Sequence, residues 1–123
     1  IDIVFSNVAD GGFFARQLSD MRIGARLVVV ECKNYVNDVV NEELDQLAGR
    51  FGNERGRLGF LISRTFRQRP LFVARCRDTA RDGNGYIIPL VDADIIQWLE
   101  WLRDGQRGRI NGDLNARLIE LIS

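Results

Sequence analysis

Two residues of this chain sit where packing alone does not explain them: Glu31 and Lys33, in the stretch RLVVVECKNY at residues 26–35. Residues 27–30 are apolar, largely β-branched and free of Gly and Pro, which predicts a strand buried on both faces. A carboxylate and an ammonium then follow in the same strand. Alternate strand side chains point the same way, so Glu31 and Lys33 share a face while Cys32 points opposite with Val28 and Val30. Burying two charges to no purpose would cost roughly several kcal/mol. Of the 17 basic residues all are arginine except Lys33. The chain uses Arg for positive charge elsewhere; here it has a compact ammonium that can sit beside a metal-bound water.

Asp2 is the next acid that matters. The alternation in IDIVFSN, residues 1–7, predicts a half-buried strand with Asp2 on its second face. If that strand lies beside the Glu31 strand, the carboxylates of Asp2 and Glu31 converge at one end of the sheet. Two carboxylates and a main-chain carbonyl make an all-oxygen site for a hard cation such as Mg²⁺, held at about 2.0–2.1 Å. Such a cation polarises a phosphodiester and lowers the pKa of an attacking water. Lys33 can hold or deprotonate that water, and its charge can offset charge developing in the transition state. The structural alternative has Asp2 capping a turn and Glu31 and Lys33 paired as a plain surface ladder. A separation of the Asp2 and Glu31 carboxylates within about 5 Å would decide for the shared cation.

Composition narrows the chemistry further. With 123 residues and 46% apolar content the chain is expected to be one domain, able to bury roughly two-thirds of its unfolded surface. There is no histidine, which removes His-dependent triads and His-ligated zinc sites. Net charge is zero but unevenly spread: residues 50–81 carry nine positive and two negative charges, a local excess of seven. Such a block can meet a phosphate backbone, or can simply be a solvated arginine-rich surface. The two cysteines, Cys32 and Cys76, do not make a disulfide framework, so a reducing, cytoplasmic setting is the simpler expectation. No apolar run approaches the ~20 residues of a membrane span. The start at Ile1, directly in a strand pattern, reads as a fragment of a longer protein.

The remaining elements must position these groups. Residues 9–24 open with an Asp-Gly-Gly turn signal and carry Phe14, Leu18 and Met21 at i, i+4, i+7, predicting a helical or irregular insertion. Residues 37–41 supply cap-type side chains, with Glu42 and Glu43 in the first turn of a helix over about 41–52. Its apolar stripe is Leu44, Leu47, Ala48 and Phe51, with Gln46 on the flank. A strand at 58–63, a basic loop at 64–69 and a helix opened by Pro70 follow. Residues 86–91 read as a strand whose Pro89 points to a sheet edge. Asp92 is expected to cap a helix carrying Ile95, Trp98, Leu99 and Leu102, stopped by Gly105, with the tryptophans in a core or interface. Leu114, Leu118, Leu121 and Ile122 outline a last helix, so 106–123 is a packed helix or a linker beyond a core of 1–105. The order predicts an α/β sheet sandwiched by helices, without repeats or low-complexity segments.

An Asp in one strand, Glu-x-Lys in the next and Gln on the following helix resembles the PD-(D/E)xK nuclease superfamily, closest to Mrr-like type IV restriction endonuclease domains. The resemblance runs from Asp2 to about Leu102, through IDIV, VVVECKNY, ELDQLAGRF and LGFLISRTF. It implies a restriction-endonuclease-like fold and cleavage of DNA dependent on Mg²⁺, with Mn²⁺ as a substitute. It also implies Asp2 and Glu31 as metal ligands with the Cys32 backbone carbonyl, Lys33 as the water-orienting base, and Gln46 orienting the site or the scissile phosphate. Double-strand cleavage would call for a homodimer, and a recognition module would lie elsewhere in the protein. The sequence departs from the Gln-x-x-x-Tyr pattern of RecB-like exonucleases: position 50 is Arg and Phe51 comes one later. Cleavage of RNA or a branched junction would differ only in substrate. The rival from another class is a nuclease-like module that binds nucleic acid or mediates assembly without catalysis.

Overall fold

A computed structural model describes residues 2–33 and 41–123, with the side chains of Asp2, Asn41 and Glu42 outside that description. The cap-forming residues expected at 37–40 lie outside the described residues. The β-branched and aromatic runs form four strands: β1 (Asp2–Ser6), β2 (Leu27–Lys33), β3 (Leu58–Ser63) and β4 (Tyr86–Val91). They make one mixed sheet in the order β1-β2-β3-β4, with β1 antiparallel to β2 and the other pairs parallel. β4 is thus an edge strand, where Pro89 removes a ladder donor at least cost.

Five helices are present among the described residues: α1 (Gly12–Ser19), α2 (Asn41–Ala48), α3 (Arg69–Arg81), α4 (Asp92–Arg103) and α5 (Arg107–Ile122). α2 and α3 are the crossovers of two successive parallel βαβ units and by handedness cover the same side of the sheet. That side carries Val29, Glu31 and Lys33. The other carries Val28, Val30 and Cys32, and there Phe14 of α1 meets Phe5 and Phe60 edge-on or tilted.

Adjacent Val28 and Val29 are both buried, so the middle of β2 is covered on both faces as its composition predicts. The coverage thins toward Glu31–Lys33, which are half-buried. Leu114, Leu118 and Leu121 are buried, so residues 107–122 are an integral packed helix and no linker. α5 lies against α1, α3 and α4.

Four local expectations change. In α1 the buried side chains are Phe13 and Gln17, while Met21 is 97% exposed. The helix ends at Ser19, so Met21 never joins its stripe; α1 is held by the Asn7 side-chain amide, which donates to the carbonyls of Phe14 and Ala25 at 2.8 Å each. Asn111 Oδ1 accepts from the Phe13 N–H at 3.0 Å, and Gly12 tolerates that approach at φ +78°. Second, α2 stops at Ala48, short of 52, because Gly56 and Gly52 exchange backbone hydrogen bonds that turn the chain early. Third, Asp92 begins α4 instead of capping it; Asp94 reaches back and accepts from the Val91 N–H at 2.9 Å. Fourth, no residue of α4 is fully buried: Leu99 and Leu102 on its apolar side are exposed, while Ile95 and Trp98 pack against the core half-buried.

Candidate active site

β1 and β2 bring the two strand positions together. Asp2 is the Cα partner of Glu31 across the antiparallel pair, so the long 9–24 excursion returns the chain in register for this contact. The Asp2 carboxylate, and hence the 5 Å criterion, lies outside the described residues. On the other side of β2, Glu31 and Lys33 are paired with Leu61 and Ser63 of β3, which are buried and form the floor. Ser63 Oγ donates to the Thr65 carbonyl at 3.3 Å, so that floor has its hydrogen bond satisfied internally.

Above this floor lies a pocket of about 160 Å³ lined by Glu31, Lys33, Glu43, Gln46, Leu47 and Arg50. Lys33 Nζ is 3.1 Å from Glu31 Oε1, with side chains 21% and 13% exposed. Arg50 Nη1 is 4.0 Å from Glu31 Oε2. A partly solvated pair of this kind is worth on the order of 1 kcal/mol, so it orients the carboxylate more than it stabilises the fold. Among the lining side chains the two cations, Lys33 and Arg50, are matched in number by the carboxylates of Glu31 and Glu43.

α2 supplies the opposite wall. Leu44 and Leu47 are buried and anchor the helix to the sheet, which turns Glu43 and Gln46 along its rim toward the strand end. Arg50 lies in the turn after α2, where its N–H donates to the Leu47 carbonyl at 3.0 Å. The structure therefore gathers Glu31, Lys33 and Gln46 in one pocket and places Asp2 beside it by register. Cys32 contributes only main chain on this side, since its side chain points to the other face.

Comparison of the chain with protein-family models, with curated proteins and with solved structures finds no match. The site thus stands on its own residues.

Glu43 and Arg50 were not among the sequence candidates. Their signal was present: 43, 46, 47 and 50 follow the i, i+3, i+4, i+7 spacing of one helical stripe. Among the described residues no group of three or more acidic or cysteine side chains gathers to hold a metal. The described carboxylates of the pocket are Glu31 and Glu43, and with Asp2 opposite Glu31 the donor chemistry is all oxygen, which fits a hard divalent cation and not a soft one. Cys76 can be set aside as a nucleophile: burial pushes its thiol up to about 12, against a small opposing effect of Arg69. No helix among the described residues is long and apolar enough to cross a membrane.

Proposed function

We propose that this domain is an endonuclease that hydrolyses DNA phosphodiester bonds at the Glu31–Lys33 pocket with the help of Mg²⁺ or Mn²⁺, on a restriction-endonuclease-like fold. One observation carries the reading: Asp2 stands directly across from Glu31, with the Lys33 ammonium 3.1 Å from the Glu31 carboxylate on the same face of β2. Asp2, Glu31 and the Cys32 carbonyl would hold the cation, which when bound supplies Lewis-acid polarisation of the phosphate. Lys33 holds the attacking water and offsets negative charge gathering on the phosphoryl oxygens. The Gln46 amide, on the rim of the pocket, donates to the scissile phosphate and orients it.

The test is plasmid cleavage with Mg²⁺ by the wild type and by Glu31→Ala, Lys33→Ala and Asp2→Ala. Each variant is expected to lose about 100-fold or more in rate. Equal rates in all four proteins would sink the assignment.

A second reading has its own supporting observation. Lys33 and Arg50 both lie within 4.0 Å of Glu31, so its carboxylate has cationic neighbours without any metal. That suits a nuclease-like module which binds DNA without cutting it. Calorimetry with Mg²⁺ separates the two: a binding event abolished by Glu31→Ala supports the nuclease, and salt-dependent DNA binding indifferent to metal supports the module.

A further inference from the structure

The pocket does not end at Arg50. A second depression of about 260 Å³ adjoins it, lined by Val4, Leu27, Val29, Arg50 and Arg55, so that Arg50 belongs to both. Val4 and Val29 are partners across β1 and β2. Leu27, Val29, Glu31 and Lys33 alternate onto one face of β2. The two depressions thus follow one another along that strand with Arg50 between them, and together they make a trough of about 20 Å from residue 27 to residue 33 at ~3.3 Å per residue. Its Lys33 end holds the carboxylates and its Leu27 end is lined by arginine and aliphatic side chains alone.

The arginines are presented by a braced turn. Gly52 and Gly56 exchange hydrogen bonds of 3.2 and 2.7 Å, the Leu27 N–H donates to the Arg55 carbonyl at 3.0 Å, and the Arg57 N–H donates to the Ile23 carbonyl at 2.8 Å. Gly56, at φ +91°, lies so close to Gly24 that a Cβ would fall 2.4 Å from the Gly24 oxygen. With the backbone held, an anion need order only the two guanidinium side chains, which keeps the entropy cost of binding low. Planar, permanently charged forks over an aliphatic floor suit phosphates bridged by sugars.

We propose that Arg50 and Arg55 form a subsite for the phosphodiester backbone of DNA on one side of the bond held at Glu31 and Lys33. This rests on the nuclease reading and adds to it the direction in which the strand leaves the pocket: along β2 toward Leu27. Arg50, at the junction, meets the phosphate next to the scissile one, and Arg55 the one beyond.

The test measures binding of a short fluorescent DNA duplex to the whole chain in EDTA, as a function of salt, for wild type, Arg55→Ala, Arg50→Ala and Arg109→Ala. Arg109 is exposed on α5, away from the trough, and controls for net charge. Arg55→Ala and Arg50→Ala are expected to weaken binding about 3- to 10-fold at moderate salt and each to lower the slope of log K against log salt by about 0.9, with Arg109→Ala unchanged. Equal effects from Arg55→Ala and Arg109→Ala, or no binding by the wild type, would overturn the subsite. Cleavage distinguishes this from failure of the catalytic reading. Arginine-dependent binding without metal-dependent cutting leaves the subsite standing and removes the nuclease. Cutting that needs Glu31 but has the same KM in Arg55→Ala does the reverse.

Discussion

The two faces of the sheet are built differently. On the Glu31 face, the segment after α2 is locked by shape: the Phe51 ring fills a slot whose walls are Gly59 and Gly85. A Cβ on Gly85 would fall 2.2 Å from the ring, and its φ of +108° already excludes most side chains. On the Val30 face, by contrast, α4 has no fully buried residue and overlooks an apolar depression of about 340 Å³ lined by side chains such as Phe5, Val30, Phe60 and Leu99. What holds α4 there includes a polar clamp. Arg117 of α5 donates from Nη2 to Asp94 Oδ1 at 2.8 Å and from Nε to Asp113 Oδ2 at 3.1 Å, and Trp98 Nε1 donates to that same Asp113 oxygen at 2.7 Å. The difference teaches where precision is spent. Steric slots fix the backbone that carries Arg50, whereas directional hydrogen bonds fix a helix whose apolar side is left partly open.

Three substitutions would break or sharpen that contrast. Gly85→Val should be the most damaging, destabilising the fold by about 3 kcal/mol through strain and displacement of Phe51; urea denaturation reads this directly. Its loss of stability should come with loss of the pocket's α2 wall, and a change below about 0.5 kcal/mol would show that the slot is not a constraint. Arg117→Ala removes the clamp and leaves Asp94 and Asp113 facing a gap, at a cost of about 2 kcal/mol. A shift in tryptophan emission should accompany it, since Trp98 shares the acceptor. Leu99→Ser should do least, within about 0.5 kcal/mol, because that side chain is already 59% exposed. Lowered binding of a hydrophobic dye to the native protein is the positive readout; a large drop in the urea midpoint would instead mean that α4 is held mainly by burial.

Which parts were legible in the sequence follows from what periodicity encodes. β1 came from alternation, the other strands from short apolar runs, and the shared face of Glu31 and Lys33 from the two-residue strand period, all of which local residues determine. Gln46 was placed by helical spacing, and Asp2 reached its register opposite Glu31 as the two-strand reading required. Periodicity says which residues share a face but not what covers it, so Leu99 and Leu102 were placed on one side of α4 while the openness of that side was invisible. In α1 the spacing pointed to Phe14, Leu18 and Met21, whereas the distant Asn7 and Asn111 contacts hold the helix with Phe13 buried. Position 50 stood out in the sequence only as a departure from the Gln-x-x-x-Tyr pattern, whereas in the fold Arg50 lies in the turn after α2 and lines the pocket.

The solitary lysine has a practical side. Lys33 is the only side-chain amine in the chain, and it points into the pocket with about a fifth of its side chain exposed. An acylating reagent will therefore find a single ε-amine, which peptide mapping separates from the α-amine, so that labelling at Lys33 reports on access to the pocket without any mutation. If an oligonucleotide protects that amine, the labelling measurement becomes a footprint of the Lys33 end of the trough.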